Sequence, residues 1–165
     1  GTTVLDAGCG PAGVFMVLDT CQVDALDPLL SSYQQLDHFN SSWYPWVHFI
    51  PLEMEELAED KKYACIFCMN VINHVRDIEK AVTALVSYLE DGGRLVLTVD
   101  AHQHAWLKPL FRLLPGDVLH PQQFGLDEYK KMFLSSGLHL HTAKKIKRDF
   151  LFDHYLLLFE KKLNG

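Results

Sequence analysis

A chain of 165 residues is long enough for one domain with a sizeable core, and its 48% hydrophobic and 22% charged residues are those of an ordinary globular protein. A formal net charge of −6 argues against a general nucleic-acid or membrane-surface binder, because either needs a basic face. No apolar run approaches the roughly 20 residues of a membrane span and no signal peptide is visible, so the expectation is a cytoplasmic protein without a membrane segment.

The first predicted element is a short apolar strand that ends at Asp6 and runs into the glycine-rich turn Gly8-Cys-Gly-Pro-Ala-Gly13. Gly8 and Gly10 allow a tight turn and a close approach of the backbone to a ligand. Val14 to Leu18 is read as a short apolar helix whose free N–H groups and positive dipole end would face the same spot. The second strand, Cys21 to Leu26, is closed by Asp27, seventeen residues after Gly10. A carboxylate in that position is placed to accept hydrogen bonds from a ribose, and it is equally able to cap the helix that follows. Asp24, inside the strand, is the weaker candidate. Pro28 suits a first helical turn, and Leu29, Tyr33 and Leu36 recur at helical spacing.

Trp46 to Ile50 reads as the third strand, preceded by Trp43 and Tyr44, which could cover a base or cap a sheet edge. The fourth, Ala64 to Met69, is apolar throughout, as a central parallel strand should be. It contains Cys65 and Cys68, three residues apart and so on opposite faces, which marks them as structural thiols in a reducing compartment rather than a redox or metal pair. Asn70, Asn73 and His74 follow at the strand's carboxyl end, where open α/β sheets bind ligands. Asp77 caps a helix whose apolar face is Ile78, Ala81, Val82, Leu85, Val86 and Leu89, stopped by Gly92 and Gly93. The fifth strand is Arg94 to Asp100. A helix from Leu126 to Ser136, a strand from Leu138 to Thr142 and a long strand from Phe150 to Phe159 close the chain. The last two strands are too close in sequence for a crossover and should pair antiparallel. The basic run Lys144 to Arg148 between them is read as a solvated loop or strand edge.

Between the fifth strand and the last helix, residues 101–125 read as an insertion over the pocket mouth. Asp100, His102 and His104 have ligand types and spacing that a metal could use. Lining of an acceptor pocket by His104, Trp106 and His120 is the preferred reading, and no metal is assigned.

The run Val4-Leu-Asp-Ala-Gly-Cys-Gly-Pro-Ala-Gly13 resembles the first motif of class I S-adenosylmethionine-dependent methyltransferases, with Ala12 where that family usually has its third glycine. Asn70-Val-Ile-Asn-His-Val75 and Leu89-Glu-Asp-Gly-Gly-Arg-Leu-Val-Leu97 are similar to later segments of its small-molecule branch, the quinone-biosynthesis type. The resemblance implies a doubly wound, Rossmann-like seven-stranded sheet, mostly parallel with an antiparallel final strand, in the order 3-2-1-4-5-7-6. It also implies one domain over 1–165 that lacks the family's usual N-terminal segment, with S-adenosylmethionine as cofactor, S-adenosylhomocysteine as product and a small-molecule acceptor. Asp6, Ala7, Gly8, Cys9 and Gly10 would meet the methionine end, Asp27 and Pro28 the ribose, Glu53 and Met54 the adenine, and Asn70 the cofactor beside the acceptor. Asn73, His74, His104, Trp106 and His120 would line the acceptor site. His74 and His120 are the candidate bases for an acceptor that arrives protonated, because an imidazole titrates near neutrality. Two other readings stay open, an NAD(P)-dependent oxidoreductase and a non-catalytic module that keeps the fold.

Overall fold

The computed structural model describes residues 1–57, 61–102, 124–148 and 152–163. Seven strands form a single sheet in the order β3-β2-β1-β4-β5-β7-β6. They are β1 (Thr3–Ala7), β2 (Gln22–Leu26), β3 (Val47–Ile50), β4 (Tyr63–Met69), β5 (Leu89–His102), β6 (Leu138–Arg148) and β7 (Phe152–Lys161). The pairs within β1 to β5 are parallel, whereas β7 runs antiparallel to both β5 and β6. The order and the antiparallel final strand are those expected. They also separate this sheet from the dinucleotide-binding order, in which the strands continue past the fourth as 5-6.

Strands β1 to β4 send alternate side chains to two cores, the period-2 pattern of a sheet covered on both faces, and β5 to β7 add to the first of them. Leu5, Ala7, Leu26, Ile66, Cys68, Leu95, Leu97, Leu157 and Phe159 pack with α2 (Ile78–Tyr88) and α3 (Leu126–Ser135). Val4, Val23 and Ala25 face the other way, against Phe15, Leu30 and Phe39, with Cys65 and Phe67 partly buried beside them. Cys65 and Cys68 therefore do lie on opposite faces, and all four cysteines are free. Asp77 caps α2 by accepting from Lys80 N at 3.1 Å. At its far end the helix is shorter than its apolar periodicity suggests. Leu89 already pairs with Tyr63 as the first residue of β5, and Gly92 at φ +77° belongs to the strand's irregular start rather than to a helix cap.

Four other expectations are corrected by the structure. Val14–Val17 is a 3-10 turn of four residues, not an α-helix. The helix after Asp27, α1, covers only Leu30–Tyr33, and Leu29 is exposed. The strand beginning at Leu138 runs past Thr142 to Arg148, which makes Lys144 to Arg148 a strand edge, one of the two readings open to them. Ala101 and His102 belong to β5 rather than to an insertion, and residues 103–123 lie outside the described residues. Among the described residues no helix is long and apolar enough to cross a membrane.

Candidate active site

The glycine turn at the carboxyl end of β1 is held by its own backbone and by two buried carboxylates. The amides of Gly8 and Cys9 both donate to Leu26 O, at 2.7 and 3.0 Å, which stitches the turn to the end of β2. Gly10 N donates to Asp27 Oδ2 at 3.0 Å, and Phe15 N donates to Asp6 Oδ2 at 3.0 Å. Gly8 (φ +73°) and Gly10 (φ +58°) sit in the left-handed region. A Cβ on Gly8 would also collide with the Val71 side chain after β4, so the two chain ends meet with nothing between them. Gly13, one place beyond the family's usual third glycine, lies against the Asp6 carboxylate and Cys9 O, with no room for a side chain.

Asp6 is 1% exposed. Burial pushes its pKa up to about 6; the Phe15 and Val14 amides work against that shift and the charge of Asp27 adds to it. Asp27 spends Oδ2 on Gly10 and Oδ1 on Leu29 N at 2.9 Å, so it braces the glycine turn and caps the approach to α1 together. Tyr33 lies close to it. Burial, then the charge of Asp27 and a hydrogen bond to its carboxylate, push the phenol up to about 12.

Against these carboxyl ends opens a cleft of about 480 Å³, within the range of small-molecule sites. Gly8, Asp27, Pro28, Glu53, Met54, Asn70 and His74 all line it, drawn from the ends of four strands, β1 to β4. Asp6, Ala7, Cys9, Gly10 and Asn73 do not. Asp6, Ala7 and Cys9 are buried beneath the turn, where they hold its shape. Asn73 is 2% exposed, with Nδ2 at 3.4 Å from His74 Nε2 and Oδ1 lacking a hydrogen-bond partner among the described residues. His104, Trp106 and His120 lie outside the described residues. Asn70 adopts φ +60°, a left-handed conformation that asparagine tolerates better than most, where the chain leaves β4.

Sequence reasoning missed part of the lining. Leu29 and Leu52, both exposed, and the half-buried Tyr33 supply apolar and aromatic surface, and Glu55 and Arg76 supply charge. Arg76 Nη2 donates to Glu53 Oε1 at 2.6 Å, and Asp77 N donates to Glu55 Oε1 at 3.1 Å. These contacts cross more than twenty residues of sequence, so no local signal could have announced them. Tyr44 packs on Phe15, Trp46 and Phe49 behind the sheet and does not cover the cleft, and Trp43 is exposed elsewhere. Asp24 is also turned away. It accepts from Lys61 Nζ at 2.7 Å and Tyr63 Oη at 2.5 Å, with His48 Nδ1 at 3.3 Å. Asp100 pairs with His154 across β5 and β7, and among the described residues no group of three or more His, Cys, Asp or Glu is placed to hold a metal.

The set fits a nucleoside-bearing ligand with no phosphate. Carboxylates at Asp27 and Glu53 can accept from hydroxyl and amino groups, and Leu26, Leu52 and Met54 give a flat base apolar surface. A pyrophosphate, by contrast, needs free amides at a helix N-terminus. Here the amides of Gly8, Cys9, Gly10 and Phe15 are already bonded within the protein, and the helix that should follow is a single 3-10 turn.

A methyltransferase-domain family model matches residues 1–143. The tRNA U34 carboxymethyltransferase of Pseudoalteromonas translucida is 35% identical over 106 residues, 59% of this chain and 31% of that protein. The ubiquinone biosynthesis O-methyltransferase of Rickettsia akari is 27% identical over 97 residues, 58% of this chain and 39% of that one. The chain thus spans about a third to two fifths of these relatives. The crystal structure of Burkholderia thailandensis 1,6-didemethyltoxoflavin-N1-methyltransferase, solved with S-adenosylhomocysteine, shares the fold with a TM-score of 0.74 at 15% identity, over 98% of this chain and 71% of that one. With the sheet order, the glycine turn and Asp27 already in place, the match over residues 1–143 makes the chain a member of the class I S-adenosylmethionine-dependent methyltransferase family.

Proposed function

We propose that this domain moves a methyl group from S-adenosylmethionine to a small-molecule acceptor. The observation that carries the reading is the glycine turn itself. The amides of Gly8, Cys9 and Gly10 are taken by Leu26 O and the Asp27 carboxylate, and Phe15 N just beyond by Asp6, which supports a cleft suited to a cofactor without phosphate. Asp27 would hold the ribose hydroxyls, Glu53 the adenine amino group and Met54 the ring, with the methionine end beside Gly8 and Asn70. The cofactor supplies an activated methyl on a sulfonium, so the protein's main task is to align an acceptor and exclude water. Alignment of that kind can contribute roughly 7–11 kcal/mol in favourable cases.

His74, at the cleft beside Asn70, is the candidate base for an acceptor that must lose a proton, and Asn73 lies within reach of its ring. His120, His104 and Trp106 stay candidates for the acceptor side. A net charge of −6 favours a small acceptor over RNA, even though one relative acts on tRNA. Four free thiols suit a reducing compartment and support a cytoplasmic setting.

Titration calorimetry with adenosylhomocysteine, and NAD in parallel, tests the cofactor reading. The expected result is micromolar binding of adenosylhomocysteine alone, weakened at least about tenfold in Asp27→Asn, where a charge-assisted acceptor is lost. Binding of NAD alone would overturn it.

A further inference from the structure

We propose that Arg76 is a positioning residue for the cofactor's adenine, acting through Glu53, a role that rests on the methyltransferase reading above. Two chain segments face each other across one side of the cleft: Leu52 to Glu55 after β3, and Asn70 to Arg76 after β4. Two acidic side chains join them, Glu53 to the Arg76 guanidinium at 2.6 Å and Glu55 to the Asp77 amide at 3.1 Å. The second is a backbone strap and would serve any fold. The first is different, because the carboxylate that Arg76 grips is the one facing an adenine amino group.

Glu53 precedes the 3-10 turn Met54–Glu56 as its N-cap residue, its backbone O accepting from the Glu56 amide at 3.0 Å while Glu56 Oε2 accepts from Glu53 N at 3.3 Å. A carboxylate offers about four acceptor sites, so an arginine still leaves room for a ligand N–H. What this backbone cap does not fix is the angle of the Glu53 carboxylate plane, since terminal sp³–sp² torsions are broad. Arg76 fixes it from the solvent side. It also places a permanent cation beside a cleft that carries the carboxylates of Asp27, Glu53 and Glu55, and His74 is the only other basic residue among the described lining. Arg76 is therefore more than a surface partner: Glu53 is three-quarters buried, and the pair sits on the ligand's rim.

The experiment is calorimetric titration of the whole chain, Arg76→Gln and Arg76→Lys with two ligands. One is adenosylhomocysteine; the other is its analogue in which hydrogen replaces the 6-amino group. Arg76 is 80% exposed, so the variants should fold, and thermal melts check that they do. Arg76→Gln is expected to weaken adenosylhomocysteine about three- to fivefold, the range of an exposed ion pair, and to leave the analogue within about twofold. Arg76→Lys should fall between, because an ammonium keeps the charge without the planar fork. Equal weakening of both ligands would overturn the proposal by placing Arg76's effect in the turn as a whole, and so would no weakening at all. Failure of the unmodified chain to bind adenosylhomocysteine sinks the cofactor reading and this role with it. Tight binding that Arg76→Gln leaves untouched sinks this role alone.

Discussion

Asp6 should make the protein lose stability as the pH rises toward neutrality, and Asp6→Asn should abolish that loss. The carboxylate is almost wholly buried, and its folded-state pKa stands at about 6 against 3.8 for the free group, chiefly because burial disfavours the charge. The difference of about 2 units, at about 1.36 kcal/mol each, corresponds to about 3 kcal/mol. For an acid raised on folding, the native state binds the proton more tightly. Its stabilising contribution is complete below pH 3.8 and is lost as the pH rises through about 6. Asparagine keeps a side-chain oxygen for Phe15 N but has no charge to bury. Urea unfolding of both proteins at several pH values from about 4 to about 7.5 measures the difference, and every other titrating group cancels between them. The stability of Asp6→Asn relative to the parent is expected to rise by about 2.5 kcal/mol across that range, the rest of the total lying below about pH 4. A difference that stays flat, or falls, would mean that Asp6 is not desolvated in the folded chain and that the bracing described for the glycine turn is wrong.

The glycines of that turn should respond differently to the same substitution. Gly13→Ala forces a methyl group into the Asp6 carboxylate and Cys9 O and should cost about 1–3 kcal/mol or more. Gly10→Ala meets open space and should cost only the left-handed backbone strain, about 1–2 kcal/mol. Denaturant midpoints at one pH compare the two, and a Gly10→Ala loss exceeding that of Gly13→Ala would contradict the packing. Cys68 is fully buried with its thiol pushed up to about 12, and burial raises Cys9 as well, so iodoacetamide at about pH 8 should leave both unlabelled in the folded protein. Mass spectrometry showing either one modified before unfolding would count against the two-faced core.

The fold was legible because parallel strands buried on both faces announce themselves as short apolar runs, and Asp77 with its periodic apolar stripe marks α2. What misled was periodicity over short stretches. Val14 to Leu18 has a helix's composition, yet Phe15 N is taken by Asp6 and the segment stops after one 3-10 turn. Leu29, Tyr33 and Leu36 are spaced for a buried stripe, but Asp27 captures Leu29 N, leaving Leu29 exposed and Tyr33 turned toward the cleft. Asp27 stands out because it closes a strand, and Glu53 comes from the family resemblance; both line the cleft. Arg76 could be found in neither way, since only the folded sheet brings it to Glu53. Asp6, expected at the methionine end of the cofactor, accepts from the Phe15 amide just after the turn, a contact no local pattern announces.

Among the described residues the outer strand β6 pairs only with β7, and one row of its backbone N–H and C=O groups faces away from it, a surface on which a further strand could grow. Over five residues it carries Lys144, Lys145, Lys147 and Arg148, all exposed. A second copy aligned on this edge would bring these cations within about 5 Å of their own counterparts, the spacing of paired strands. Asp153 draws Lys145 and Arg148 back toward the sheet, yet the row as a whole stays positive. The basic run thus acts as a guard against fibre-like stacking, and the sheet can end in an open edge without inviting its own extension.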